Sequence, residues 1–265
     1  MLTVLLTYSA VGAVAGVLAG LLGVGGGLVI VPMLAFTFHL QNINDARLMH
    51  LALGTSLASI MFTSVSSAAA HHRRKAVDTT IVRRIVAGLL IGTFLGSCLV
   101  AHLPTGVLKG FLVVFLYYVA TQMLIGHKPK PTRVLPGRAG MFGAGNLIGV
   151  VSSVVGIGGG TLSVPFMIWH NTPVRTAIGT SAALGFPIAV AGTAGYLYNG
   201  WGVADRPAFS LGYIYLPALA GIAFLSVLTA PVGARIAHAV AVDKLKTVFA
   251  LLLYVVATRM LLSMF

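Results

Sequence analysis

No charged residue precedes Asp45, and the apolar positions up to it leave no polar face. A bilayer crossing needs about 20 apolar residues, so this stretch is too long for one helix and nearly enough for two. The pattern predicts a full helix over Leu2–Leu22, a break at Gly23–Gly27 and a short helix over Leu28–Leu40. Arg138 and Arg175 bracket a second uncharged stretch, with Gly156–Gly160 in its middle and a short helix predicted over Thr161–His170. Other apolar runs predict spans near Leu48–Ala70, Ile85–Ala101, Thr105–Gly126, Thr176–Tyr198, Ala208–Ala230 and Val242–Leu262. The fold class that follows is an all-α polytopic membrane protein, with eight full spans and two short helices beside glycine breaks.

The chain also repeats itself. Gly23-Val24-Gly25-Gly26-Gly27, followed by Val31-Pro32, returns as Gly156-Ile157-Gly158-Gly159-Gly160, followed by Val164-Pro165. Leu53-Gly54-Thr55-Ser56 returns as Ile178-Gly179-Thr180-Ser181, and Tyr117…Ala120-Thr121 as Tyr254…Ala257-Thr258. Two homologous transmembrane repeats are expected, over residues 1–126 and 139–265, joined by a basic, proline-rich linker over 127–138. Irregular backbone at membrane depth is tolerated only where protein buries it or it lines a cavity. Matched breaks in two halves therefore point to a transporter's binding site.

Charge then separates two topologies. If each break only kinks a helix, the repeats are parallel and the basic residues divide 10 to 6 between the two sides. If each short helix is its own return crossing, the repeats are inverted. One side then holds 13 basic residues, and the other only Arg47, Lys109 and Arg206. The positive-inside bias favours the inverted arrangement, with the basic loops cytoplasmic and both termini outside. The Thr161–His170 segment is short for a crossing, about 15 Å at 1.5 Å per residue, which leaves its N-terminus within the membrane.

Composition removes several classes. At 58% hydrophobic and 8% charged residues the chain lies far from soluble domains. The net charge of +13 sits mostly in loops beside apolar spans, where the bilayer rather than nucleic acid is the expected partner. Cys98 stands alone, so no disulfide or thiolate cluster forms within the chain. The histidines have no metal-ligand spacing, and no nucleophile elbow or phosphate-binding loop is present. No metal, cofactor or catalytic residue is expected.

The candidate site is built from what remains. Gly25, Gly26 and Gly27, and likewise Gly158, Gly159 and Gly160, precede short helices whose free N–H groups and positive dipole ends would cradle an anion. Thr55, Ser56, Thr180 and Ser181 would add hydroxyl donors, unless they bond backbone carbonyls instead. Asn146 stands on the span before the second break, either as a ligand donor or as a tie between helices. Arg47 and Arg175 are candidates for the mouth of the cavity or for interfacial anchors. The chain contains no glutamate, and its four aspartates lie at span ends or in loops, which disfavours a cation substrate.

The segments GVGGGLVIVPML at 23–34, GIGGGTLSVPFM at 156–167, ALGTSL at 52–57 and AIGTSA at 177–182 resemble the sulfite exporter TauE/SafE-like family. The resemblance covers both halves. It implies a carrier in the bacterial inner membrane for small sulfur-containing anions, such as sulfite or organosulfonates, and the family name suggests export. The mechanism expected from the matched breaks is alternating access, with one anion bound between them and exposed as the halves rock. Another small organic anion, sulfoacetate-like or a carboxylate, or an anion channel, is the alternative.

Overall fold

The computed structural model describes residues 2–23, 25–125, 134–204, 206–239 and 242–264. Most of the expected 127–138 linker, including Lys128, Lys130 and Arg133, lies outside the described residues. Among the described residues ten helices follow in order: α1 (Leu2–Leu22), α2 (Gly27–Leu40), α3 (Asp45–His72), α4 (Thr79–Ala101), α5 (Thr105–Ile125), α6 (Arg138–Val155), α7 (Gly160–Trp169), α8 (Val174–Gly200), α9 (Leu216–Ala239) and α10 (Val242–Leu262). Six of them, α3, α4, α5, α6, α8 and α9, are long and apolar enough to cross a membrane. The apolar lengths Leu6–Leu22 of α1 and Thr247–Leu262 of α10 are shorter, as are α2 and α7.

Several boundaries differ from the hydropathy pattern. Helix α4 starts at Thr79 rather than Ile85, because the Asp78 carboxylate accepts the N–H groups of Thr80 and Ile81 at 2.9 and 3.2 Å. Charged residues at a helix end stop an apolar run without stopping the helix. The expected span at Ala208–Ala230 is also corrected. Ser210–Leu211 (β1) and Ile214–Tyr215 (β2) pair as an antiparallel hairpin turning at Gly212, and α9 begins only at Leu216. The hairpin drives Tyr213 into the core, where it is 2% exposed and its N–H donates to the Tyr196 carbonyl.

The helix directions can be read from side-chain and backbone contacts. The Gln41 amide donates to the Tyr8 hydroxyl at 2.8 Å, which brings the far end of α2 back beside the start of α1. Helix α2 is therefore a return segment and not a continuation of α1. Gly12, Gly16 and Gly20 of α1 face Ile222, Ser226 and Ala230 of α9 in ascending order, so these two helices run the same way. Gly88, Gly92 and Gly96 of α4 climb past Phe142, Asn146 and Val150 of α6 in the same manner. Small residues at every fourth position let the backbones approach within dispersion range, which drives helix association in lipid. Asn146 here meets Gly92 through its backbone.

Helices α3 and α8 pack against each other and run in opposite directions. Thr180, near the start of α8, meets the chain just after α3, and Gly54, near the start of α3, meets the chain just after α8. Around them, α4 packs on α8 and α9 packs on α3. Helices α5 and α10 form a separate pair, joined by Tyr117 to Thr258 at 2.8 Å and Thr121 to Tyr254 at 2.6 Å. The two glycine breaks meet between α3 and α8.

Candidate functional site

Each break is a left-handed turn followed by a helix. Gly26 caps α2 with φ 79° and ψ −9°, and Gly159 caps α7 with φ 76° and ψ −6°. A side chain at either position would be strained, because the left-handed region brings Cβ against the backbone. The Gly26 carbonyl accepts from Val29 and Ile30, and the Gly159 carbonyl accepts from Leu162 and Ser163, at 2.9–3.1 Å. No side chain caps either helix, so the first N–H groups, at Gly27 and Leu28 and at Gly160 and Thr161, have no partner within the helix. The breaks also touch each other. A Cβ at Gly25 would lie 3.2 Å from the Gly158 Cα, and one at Gly27 would lie 2.8 Å from the Ile157 Cα.

The Gly-Thr-Ser elements hold this junction by reciprocal bonds. The Ser56 hydroxyl donates to the Gly156 carbonyl at 2.8 Å, and the Ser181 hydroxyl donates to the Gly23 carbonyl at 2.8 Å. Each serine therefore ties down the break of the opposite half. The Thr55 hydroxyl accepts the N–H of Tyr215 and the Thr180 hydroxyl accepts the N–H of Asp78, both at 2.9 Å. Gly54 and Gly179 make room for the same connecting segments, at the carbonyls of Tyr213 and Ala76. All four hydroxyl-bearing residues are fully buried.

Of the six glycines expected at the site, Gly25 and Gly27 meet Gly158 and the Gly156–Ile157 backbone of the opposite break. Gly26 instead faces Ala15, Gly159 faces Ile188 and Ser152, and Gly160 opens α7. Ser56 and Ser181 bond to the breaks, and Thr55 and Thr180 to the connecting segments at Tyr215 and Asp78. The Ser56 and Ser181 protons go to glycine carbonyls in this conformation, so these two hydroxyls are not free for a ligand, whereas the first N–H groups of α2 and α7 have no partner within their helices. Arg47 and Arg175 are not brought together: they start α3 and α8, at opposite ends of an antiparallel pair. A cavity of about 470 Å³ lies elsewhere, between α2 and α10, lined by Pro32, Phe36, Lys109, Val255 and Arg259. It includes none of the glycines.

Sequence reasoning passed over three polar residues at the second break. Ser163 donates to the Ser181 hydroxyl at 3.0 Å. The Ser152 and Thr161 hydroxyls are buried, and neither has a hydrogen-bond partner. The signal was present in the repeat itself. Aligning the glycines sets Ser152, Thr161 and Ser163 against Ala19, Leu28 and Ile30.

The model of the sulfite exporter TauE/SafE family matches residues 8–260. A probable membrane transporter protein of Haemophilus influenzae is 38% identical over 265 residues, covering 99% of this chain and 100% of its own length. Another from Methanocaldococcus jannaschii, MJ0441, is 27% identical and covers 95% of this chain and 93% of its own. Bacillus subtilis YdhB, likewise a probable membrane transporter protein, is 29% identical over 70% of this chain and 76% of its own. No solved structure matches the chain.

Proposed function

The chain belongs to the sulfite exporter TauE/SafE family of membrane transporters, and within it we propose a secondary carrier that exports small sulfur-containing oxyanions. Sulfite and organosulfonates are the substrate class, and the protein sits in the bacterial inner membrane with its basic loops in the cytoplasm. The two halves form an inverted repeat. One anion binds where the glycine breaks meet, and rocking of the halves exposes it to either side in turn. The observation that carries this reading is the junction itself: the breaks that precede two uncapped helices touch where Gly25 packs against Gly158 and Gly27 against Gly156 and Ile157, all of them buried.

Physical chemistry supports an anion at that place. Helix N-termini present N–H groups and roughly half a positive charge each. No Lys or Arg is needed to hold the substrate, so release is not slowed by a full opposite charge in a dry site. The matched bonds from Ser56 and Ser181, and the opposed course of α3 and α8, agree with halves related by inversion.

Counterflow in liposomes tests the reading. Labelled sulfite is expected to enter saturably and to be accelerated by unlabelled sulfite inside. Current without saturation or counterflow would mean a channel, and acceleration only by carboxylates would move the substrate class. Sidedness has its own test, in a Cys98→Ser background. Lys75→Cys, in the loop after α3, should react with an impermeant maleimide only from the cytoplasm, and Gly202→Cys, after α8, only from outside. Labelling of both from one side would end the inverted topology.

A further inference from the structure

The two breaks share a backbone but not a chemistry. Around the first, Ala15, Ala19, Leu28, Ile30 and Ile60 are buried and apolar. Around the second, Ser152 closes the last turns of α6 and Thr161 opens α7. Ser152 is fully buried and Thr161 is 8% exposed, and neither hydroxyl has a partner. The Ser152 oxygen lies 3.3 Å from the point a Cβ on Gly159 would occupy, so it is aimed at the turn that caps α7. Hydroxyls in membrane helices ordinarily bond a carbonyl one turn back. Thr37, Ser59, Thr63 and Thr229 all do so here. Burying a hydroxyl unpaired is unfavourable, and a site that keeps two beside a free helix N-terminus is short of an acceptor.

Resting on the carrier reading above, we propose that the oxyanion is coordinated at the second break alone. Its donors are the Ser152 and Thr161 hydroxyls and the N–H groups of Gly160 and Thr161. The first break is the apolar wall that packs over it, with Gly25 against Gly158. Near-symmetry of the backbone then serves the exchange of conformations, and the side chains that differ between halves serve recognition. Donors at the end of α6 and the start of α7 suit a ligand with several oxygen acceptors, the oxyanion class that includes sulfite and methanesulfonate.

The experiment is calorimetric titration of sulfite and methanesulfonate into the purified full chain, oxygen-free, with Ser152→Ala, Thr161→Val and the first-break control Leu28→Val. Each lost hydroxyl is expected to weaken binding roughly tenfold, and the pair roughly a hundredfold. Melting temperatures of Ser152→Ala and Thr161→Val should match or exceed wild type, since no protein bond is removed and an unpaired buried hydroxyl is lost. Thr161→Ser should keep the affinity. Wild-type binding in both hydroxyl variants, or a loss in Leu28→Val as large as in Thr161→Val, would overturn the assignment while leaving the carrier intact. A wild-type chain that binds neither anion would remove the carrier reading and this inference with it.

Discussion

Gly159→Ala is expected to abolish sulfite transport while leaving a folded protein. The left-handed turn costs alanine about 1–2 kcal/mol. The added Cβ meets the tip of the Ile188 side chain, which can turn away, and stands 3.3 Å from the Ser152 oxygen. It therefore fills the space where the proposed anion contacts Ser152 and the start of α7. Losing two hydrogen bonds to a charged ligand corresponds to about 3 kcal/mol, or roughly a hundredfold in affinity. Gly26→Ala should behave differently. There the Cβ falls 2.7 Å from the Ala15 carbonyl oxygen, part of a helix backbone that cannot swing aside. Strain and overpacking together predict about 2–5 kcal/mol of lost stability. Thermal melting and liposome flux on both variants separate the cases. A Gly159→Ala protein that transports normally would remove the second break from the substrate path.

Much of this arrangement is legible in the residues. The uncharged stretch before Asp45 and its counterpart between Arg138 and Arg175 mark two broken helices, and the glycine motifs identify the breaks as copies. Glycine in series before an apolar run implies positive φ, and Gly23, Gly25, Gly26, Gly156 and Gly159 all have it. Long-range pairing is where the reading stops. Ser56 and Ser181 look like free hydroxyl donors, because their carbonyl partners lie 100 and 158 residues away in sequence. Tyr213 looks like part of a span, because a two-residue strand pair leaves no periodic trace and Gly212 alone marks its turn. Ser152 and Thr161 were hidden by likeness. Attention to what the halves share conceals the positions where they differ, and those positions carry the proposed recognition.

The reciprocal serines predict the other large effect, and an unequal one. Ser56→Ala leaves the buried Gly156 carbonyl without its donor, which costs about 1–3 kcal/mol of the desolvation penalty. Ser181→Ala leaves the Gly23 carbonyl in the same state and also strips Ser163 of its acceptor, 3.0 Å away. The second variant should therefore melt at the lower temperature, with a cost of about 2–4 kcal/mol when both bonds are counted. Each break is held by the opposite half, so either loss loosens the junction as a whole. In the double variant the two effects are expected to fall short of their sum, since one loosened break already frees the other. Transport should decline in step with stability and recover in Ser181→Thr, which keeps the hydroxyl. Equal melting of the two single variants, or strict additivity in the double, would mean that the breaks are anchored independently and that the bond from Ser163 contributes nothing. A stable Ser181→Ala protein without transport would instead place the Ser181 hydroxyl on the substrate, as its sequence position first suggests.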